Sequence, residues 1–332
     1  MSHDFPVALC RGSVFGSPVF PASRLLLLFA LTLLSACLRE PVAVTQTTQT
    51  TRLDQAGGAG SIWVVDREGK PGRLFLCGTI HILRESDYPL SPGYEAAYNH
   101  SDKLVLELPP GSGDGPAMAS RMQELGRYPD GMSLEANVKK ETWADVQKWA
   151  AAHGNEASLF NRFRPWFVSL LITSKEYELL GAKPDKGVDQ YFEARAERDG
   201  KPAEGLETVE FQLQLFSKLT KEQQMDMLEQ TLAEVSTISQ EYDKMISAWK
   251  NGELDALHEM LFREAERYPE LMDLFLKNRN LAWIDRLDTM LKKGEKAMIL
   301  VGTGHLTASD GLIQLLKNRG YRVRHHREVK DL

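Results

Sequence analysis

Met298-Ile299-Leu300-Val301-Gly302-Thr303-Gly304-His305 is the stretch on which the reading of this chain turns. Four apolar residues that end at a glycine read as a buried strand followed by a break. The same pattern stands near the other end, in Leu74-Phe75-Leu76-Cys77-Gly78-Thr79-Ile80-His81. A glycine at a strand end lets the backbone turn or approach a neighbour closely, and a histidine is then delivered at the edge of the sheet. With 25 Gly in 332 residues, roughly 0.6 of the 8 His should have Gly three positions earlier by composition alone. Two such histidines are unremarkable, but the shared Thr and the preceding apolar run make coincidence much less plausible. If both are strand ends of one sheet, His81 and His305 meet, and they can share one metal ion or one proton-transfer task. The plainer reading is two ordinary strand-to-loop turns.

Working outward, Ser61–Val65 and Leu74–Cys77 flank the polar segment 66–72 and read as an antiparallel hairpin. Lys103–Leu108 is a further strand, with its one acidic residue, Glu107, at the far end before Pro109-Pro110. Pro202–Leu206 is another, followed by Glu207, and Tyr321–Arg324 is the last. Between the early and late strands the pattern is helical. Ser91-Pro92 marks one helix start and Thr220-Lys221-Glu222-Gln223 a capping box. Pro165–Leu180 reads as an apolar helix. The expectation is one α/β domain over residues 61–332, with a mixed central β-sheet built from both ends of the chain and a large helical insertion between them.

Ligand sites in such sheets gather outside the carboxyl ends of the strands. Glu107 and Glu207 join the two histidines there. Two imidazoles and one or two carboxylates make a plausible donor set for a divalent metal such as zinc, manganese or cobalt. On this reading His81, His305 and Glu107 hold the metal and Glu207 is a fourth ligand or a general base. No local ligand cluster such as H-E-x-x-H is present, and a metal-free site with a histidine activating water stays open. Glu207 is equally well a first-turn carboxylate favoured by a helix dipole. Arg279, in a helix between Phe275 and Trp283, is either a solvated helical arginine or a group that steadies a carbonyl oxygen or a substrate carboxylate. Asp189 reads best as an acid at a helix N-terminus, with a place in the cleft as the alternative.

The first residues read as a targeting segment. Leu25–Leu34 is a nearly pure apolar stretch, too short to span a bilayer. Leu34-Ser35-Ala36-Cys37 resembles a bacterial lipobox, which implies a signal peptide over residues 1–36 and lipidation (palmitate) at Cys37. Leu38, in place of an Asp, implies the outer membrane, with the domain facing the periplasm. Residues 37–60 read as a flexible tether. Removal of the signal takes Cys10 with it and leaves Cys77 in an apolar strand, so no disulfide within the domain is expected. The net charge of −6 and the lack of a basic run argue against a nucleic-acid partner. No nucleophile elbow, P-loop or dinucleotide fingerprint occurs.

Taken together, Cys77–His81, Tyr88-Pro89-Leu90, Leu104–Glu107, Gly205–Thr208, Ala248-Trp249, Gly252, Arg279-Asn280, Trp283, Val301–Leu306 and Asp310–Leu312 resemble the TraB/GumN family within the wider Tiki-like superfamily. The resemblance covers nearly all of the domain. It implies an α/β fold with a site made from the paired Gly-x-x-His motifs and a strand-end Glu. Animal Tiki proteins are membrane-tethered, metal-dependent peptidases. Relatives resembling erythromycin esterase hydrolyse an ester with His and Glu. TraB-like members are associated with shutting off peptide pheromones. The expected function is therefore an envelope-anchored hydrolase, a metal-dependent peptidase acting on a peptide or other small substrate. The alternatives are a metal-independent His/Glu esterase and a non-catalytic lipoprotein that binds peptide or polysaccharide.

Overall fold

Six strands form one sheet in the order β4-β3-β5-β2-β1-β6. They are β1 (Ile62–Asp66), β2 (Arg73–Thr79), β3 (Lys103–Leu106), β4 (Ala203–Gly205), β5 (Lys296–Gly302) and β6 (Arg322–His325). A computed structural model describes residues 58–112, 116–262 and 268–330. The signal segment, the lipobox at Cys37 and most of the tether therefore lie outside the described residues.

β2, β5, β3 and β4 run parallel, and β1 is antiparallel to both its neighbours, β2 and β6. The sheet is mixed and draws strands from both ends of the chain, as expected. The parallel strands are apolar throughout because both of their faces are covered. Phe75, Cys77, Leu104, Leu106, Met298 and Leu300 alternate onto one face, against the helices of the insertion. Leu74, Leu76, Val105, Ala297, Ile299 and Val301 take the other, against the helices Asn278–Lys292 and Leu312–Asn318. Cys77 is a buried free thiol whose pKa burial pushes up, which suits a small core residue rather than a nucleophile.

Most element boundaries follow the local signals. Helix Pro92–Asn99 starts with Pro at its first position. The capping box at Thr220 and Gln223 is formed on both sides. The long helical stretch after Thr220 is broken at Val235–Thr237, where a short 3-10 turn separates Lys221–Glu234 from Ile238–Asn251. The helical run from Pro269 to Lys292 carries a π-turn at Asp273–Lys277, which ends two residues before Arg279. Such wide turns are frequent at functional sites.

Register decides where the chemistry falls. Thr79 lies opposite Gly302, Leu106 opposite Leu300, and Leu106 also opposite Gly205. The carboxyl ends of β2, β5, β3 and β4 thus share one edge of the sheet. His81, His305, Glu107 and Glu207 each follow one of these ends. The chain also enters the domain at this edge, since Ile62 pairs with Cys77.

Candidate active site

His81 comes two residues after β2 and is 8% exposed. Its Nδ1 lies 2.9 Å from Oδ1 of Asp189. Asp189 sits in the first turn of the helix Val188–Asp199, so both readings of that residue hold: it is a helix N-terminal acid, and it lines the cleft beside His81. The contact is set by backbone. Val188 N donates to Ile80 O, and Gly187 packs so closely on His81 that an added Cβ would lie 2.4 Å from its carbonyl oxygen. Only glycine fits there. A carboxylate accepts at Nδ1, which places the proton on that nitrogen and leaves Nε2 as the acceptor. Burial lowers the pKa of His81, but the charge and hydrogen bond of Asp189, with the charge of Glu107, outweigh it and raise it above 6.5.

Glu107 is 6% exposed. Its Oε1 accepts from the backbone N–H of Gly302 at 2.7 Å, and its Oε2 accepts from Nη2 of Arg279 at 2.6 Å. Burial pushes this carboxyl up. The positive charge of Arg279, then the two histidines and the Gly302 N–H, overcome that and hold it down at about 2. Gly302 is the floor of the site. A Cβ at this position would stand 3.3 Å from Glu107 Oε1, 3.4 Å from His81 Nε2 and 3.9 Å from His305 Cδ2. The φ of −49° is ordinary, so the glycine supplies room, not conformational freedom.

His305 is 2% exposed. Its Nδ1 lies 2.7 Å from Oδ1 of Asn280, whose amide nitrogen donates to Asp310 O. That pairing turns the Asn280 oxygen toward the ring, so Nδ1 carries the hydrogen. Nε2 then accepts from Nη1 of Arg279 at 2.8 Å. Burial, followed by the charge of Arg279, lowers the pKa of His305 to about 3. The ring also packs on Trp283 at 4.5 Å between centroids.

Arg279 is fully buried. Nε donates to both oxygens of Glu207, at 3.0 and 3.1 Å, and Nη2 also reaches Glu207 Oε1. Nη1 further donates to Phe275 O. Arg279 therefore faces Glu107, Glu207 and His305 and does not line the cleft. Glu207 likewise lines neither side of it. Burial pushes the Glu207 carboxyl up, as does Glu107 nearby, against the pull of Arg279. Two carboxylates that share one guanidinium have their pKa values driven apart.

The four strand-end residues thus converge, but with Arg279 at their centre. The expected metal donors His81, His305 and Glu107 meet a specific obstacle. The single lone pair of His305 Nε2 is taken by the guanidinium, as is one oxygen of Glu107. His81 Nε2 and Glu107 Oε1 are the donors left facing Gly302. Among the described residues, no group of three or more His, Cys, Asp or Glu side chains stands ready to hold a metal ion. Three protein ligands are the usual minimum for a catalytic zinc, so the residues as arranged do not fit one.

Two residues were given no role by sequence reasoning, although Asn280 entered the family resemblance beside Arg279. Gln212, fully buried in the helix Val209–Ser217, donates from Nε2 to Glu207 Oε1 at 2.7 Å and to Glu107 Oε2 at 3.3 Å. Asn280 sets the tautomer of His305. The signal for Gln212 was an amide among apolar positions five residues after Glu207; for Asn280 it was adjacency to Arg279.

Comparison with known proteins adds the following. The family model described as TraB/PrgY/gumN family matches residues 61–325. The chain is 24% identical to the uncharacterized protein YbaP of Escherichia coli (strain K12) over 245 residues, covering 73% of this chain and 87% of YbaP. The YbaP of Shigella flexneri matches to the same extent. A more distant relative is the metalloprotease TIKI2 of Danio rerio, 20% identical over 318 aligned residues, covering 80% of this chain and 60% of TIKI2. No solved structure matches.

Proposed function

The chain belongs to the TraB/PrgY/gumN family, and from that premise we propose that it is a hydrolase acting on a peptide, with the cleft between His81 and Glu107 as its active site. The observation that carries this is the convergence of His81 Nε2 and Glu107 Oε1 over the bare Cα of Gly302. The distant relationship to a protein named as a metalloprotease supports the reaction class.

The chemistry follows from the hydrogen-bond directions. A water above Gly302 gives one proton to His81 Nε2 while its other hydrogen points to Glu107 Oε1. The oxygen attacks the substrate carbonyl and a C–O bond forms. His81, now protonated and stabilised by Asp189, returns the proton to the leaving nitrogen as the C–N bond breaks. Thr79 is 2% exposed and lines this cleft, and its hydroxyl is buried with no hydrogen-bond partner among the described residues. It is the donor for the carbonyl oxygen. Arg279 positions: it keeps Glu107 ionised and His305 neutral.

A second reading, a peptidase dependent on zinc, manganese or cobalt, is favoured by the name of the TIKI2 relative. It requires Arg279 to release His305. Both readings meet in one experiment: metal analysis of wild type, His81→Ala and His305→Ala, with peptide hydrolysis measured with and without a chelator. The metal-free reading expects equal metal content in all three, hydrolysis that resists the chelator, and its loss in His81→Ala. Stoichiometric metal that is lost from the variants would select the second reading. Peptide bound without turnover, and equally well by Glu107→Gln, would point to a tethered binding lipoprotein.

We infer the address of the protein from sequence alone. The lipobox-like Leu34–Cys37 supports a lipid anchor at Cys37 in the cell envelope, at the outer membrane and facing the periplasm. No helix among the described residues is long and apolar enough to cross a membrane.

A further inference from the structure

Two buried polar atoms beside the reacting pair find no partner in the fold. Gln212 is fully buried in the helix Val209–Ser217 and lines a cleft with His81, Glu107 and Leu300. Its Nε2 donates to Glu207 Oε1 and to Glu107 Oε2. Arg279 holds Glu107 ionised, so that oxygen can only accept, and this fixes which end of the amide is which. Gln212 Oε1 is buried and has no hydrogen-bond partner among the described residues. Thr79 lines the cleft that His81 and Glu107 share with Ile80 and Gly302, and its hydroxyl is likewise buried without a partner among the described residues. Native folds keep few such groups, and each calls for an explanation.

The sheet order places the two on either side of Gly302. β5, which ends at Gly302, lies between β2 and β3. Thr79 ends β2, while Gln212 is held by the carboxylates that follow β3 and β4. One atom offers a hydrogen to an oxygen and the other accepts an N–H. In a trans peptide unit the C=O and the N–H point in opposite directions. We propose that Gln212 is a substrate-binding residue whose Oε1 accepts the N–H of the scissile bond, opposite the Thr79 hydroxyl that receives the carbonyl oxygen. This rests on the hydrolase reading and deepens it: the substrate is a secondary amide. Esters and the bond before a proline lack that N–H and forgo the contact. A site built around an N–H leaves its own acceptor unpaired when the analogue has none. The nitrogen keeps this hydrogen throughout. As the C–N bond breaks it takes a second one from His81 and departs as a primary amine.

The first readout is equilibrium binding to full-length His81→Ala, which lacks the base and keeps Gln212 and Thr79. The probes are N-acetyl-Ala-Leu-Leu-Ala-amide and its analogue with CO–CH2 in place of the central CO–NH. Leucines suit the cleft wall of Ile80, Leu261, Phe262 and Leu276. The peptide is expected to bind about five- to tenfold more tightly than the analogue, as one neutral hydrogen bond implies. Adding Gln212→Met is expected to abolish that preference while both probes still bind. Equal binding of the two probes to His81→Ala, a comparison that needs no change at Gln212, would overturn the proposal. So would a preference that survives Gln212→Met. Turnover separates this role from the reading it rests on. Wild type that cleaves the bond before a proline as fast as the Leu-Leu bond would overturn the role of Gln212 and leave the hydrolase intact. A preference lost in Gln212→Met, with no cleavage of any peptide by wild type, would keep Gln212 as a peptide-binding residue and remove the hydrolase.

Discussion

Nη1 of Arg279 lies 2.8 Å from Nε2 of His305. A guanidinium can only donate, so His305 must be neutral and accept at Nε2. Asn280 holds the other ring nitrogen as the donor. The centre of this site is thus a fixed cation with two carboxylates and an imidazole turned toward it.

Replacing Arg279 with Met leaves Glu107 and Glu207 buried and facing each other without a cation. The expected loss of stability at pH 7 is about 3–5 kcal/mol, measured by urea unfolding. The pKa of Glu107 falls from 4.5 to about 2 on folding. Its contribution is therefore present above about pH 4.5 and is lost as the pH drops through about 2. In Arg279→Met the carboxylates take up protons more readily, so the deficit should shrink at pH 4. An equal deficit at both pH values would contradict the shared-cation account.

His81 must be neutral to act as a base. With its folded pKa raised above 6.5 by Asp189, kcat/KM should climb with pH along a limb that lies above 6.5. In Asp189→Asn that limb should move to lower pH and the plateau should fall by about a hundredfold or more. Stability runs the opposite way. The pair of protonated His81 with Asp189 stabilises fully below about pH 6.5 and is lost as pH rises through the folded value. An unmoved limb in the pH–rate profile would remove His81 as the base.

Gly302→Ala tests the convergence point. The backbone angles suit alanine, but its Cβ would crowd His81 Nε2 and Glu107 Oε1. A modest stability cost of about 1–2 kcal/mol is expected, with hydrolysis reduced about a hundredfold. Thermal unfolding and kcat/KM on one peptide check both halves. A variant that is fully active would mean that the reacting water sits elsewhere.

Cys37→Ser should abolish incorporation of labelled palmitate and shift the protein from the membrane to the soluble fraction of the envelope. Label retained at another position would sink the lipobox reading.

The strand-end histidines and Glu107 were legible because they depend on local pattern: an apolar run, a glycine, then a polar residue. The π-turn before Arg279 and the break at Val235–Thr237 were not, because the apolar periodicity that marks a helix runs on across both. Asp189 read best as a helix-terminal acid, which it is. Its contact with His81, 108 positions away, depends on the close approach of Gly187 to the chain after β2.

By itself the sequence determined an α/β sheet joined from both ends of the chain and the edge at which its polar residues collect, since apolar alternation and strand ends are written locally. Only the tertiary structure decided what those residues face. Arg279 meets Glu107 across 172 positions and donates to Nε2 of His305, while Gln212 comes to rest beside the pair with an oxygen that has no partner among the described residues. Hydrogen-bond direction and burial are properties of long-range contacts, and no spacing along the chain encodes them.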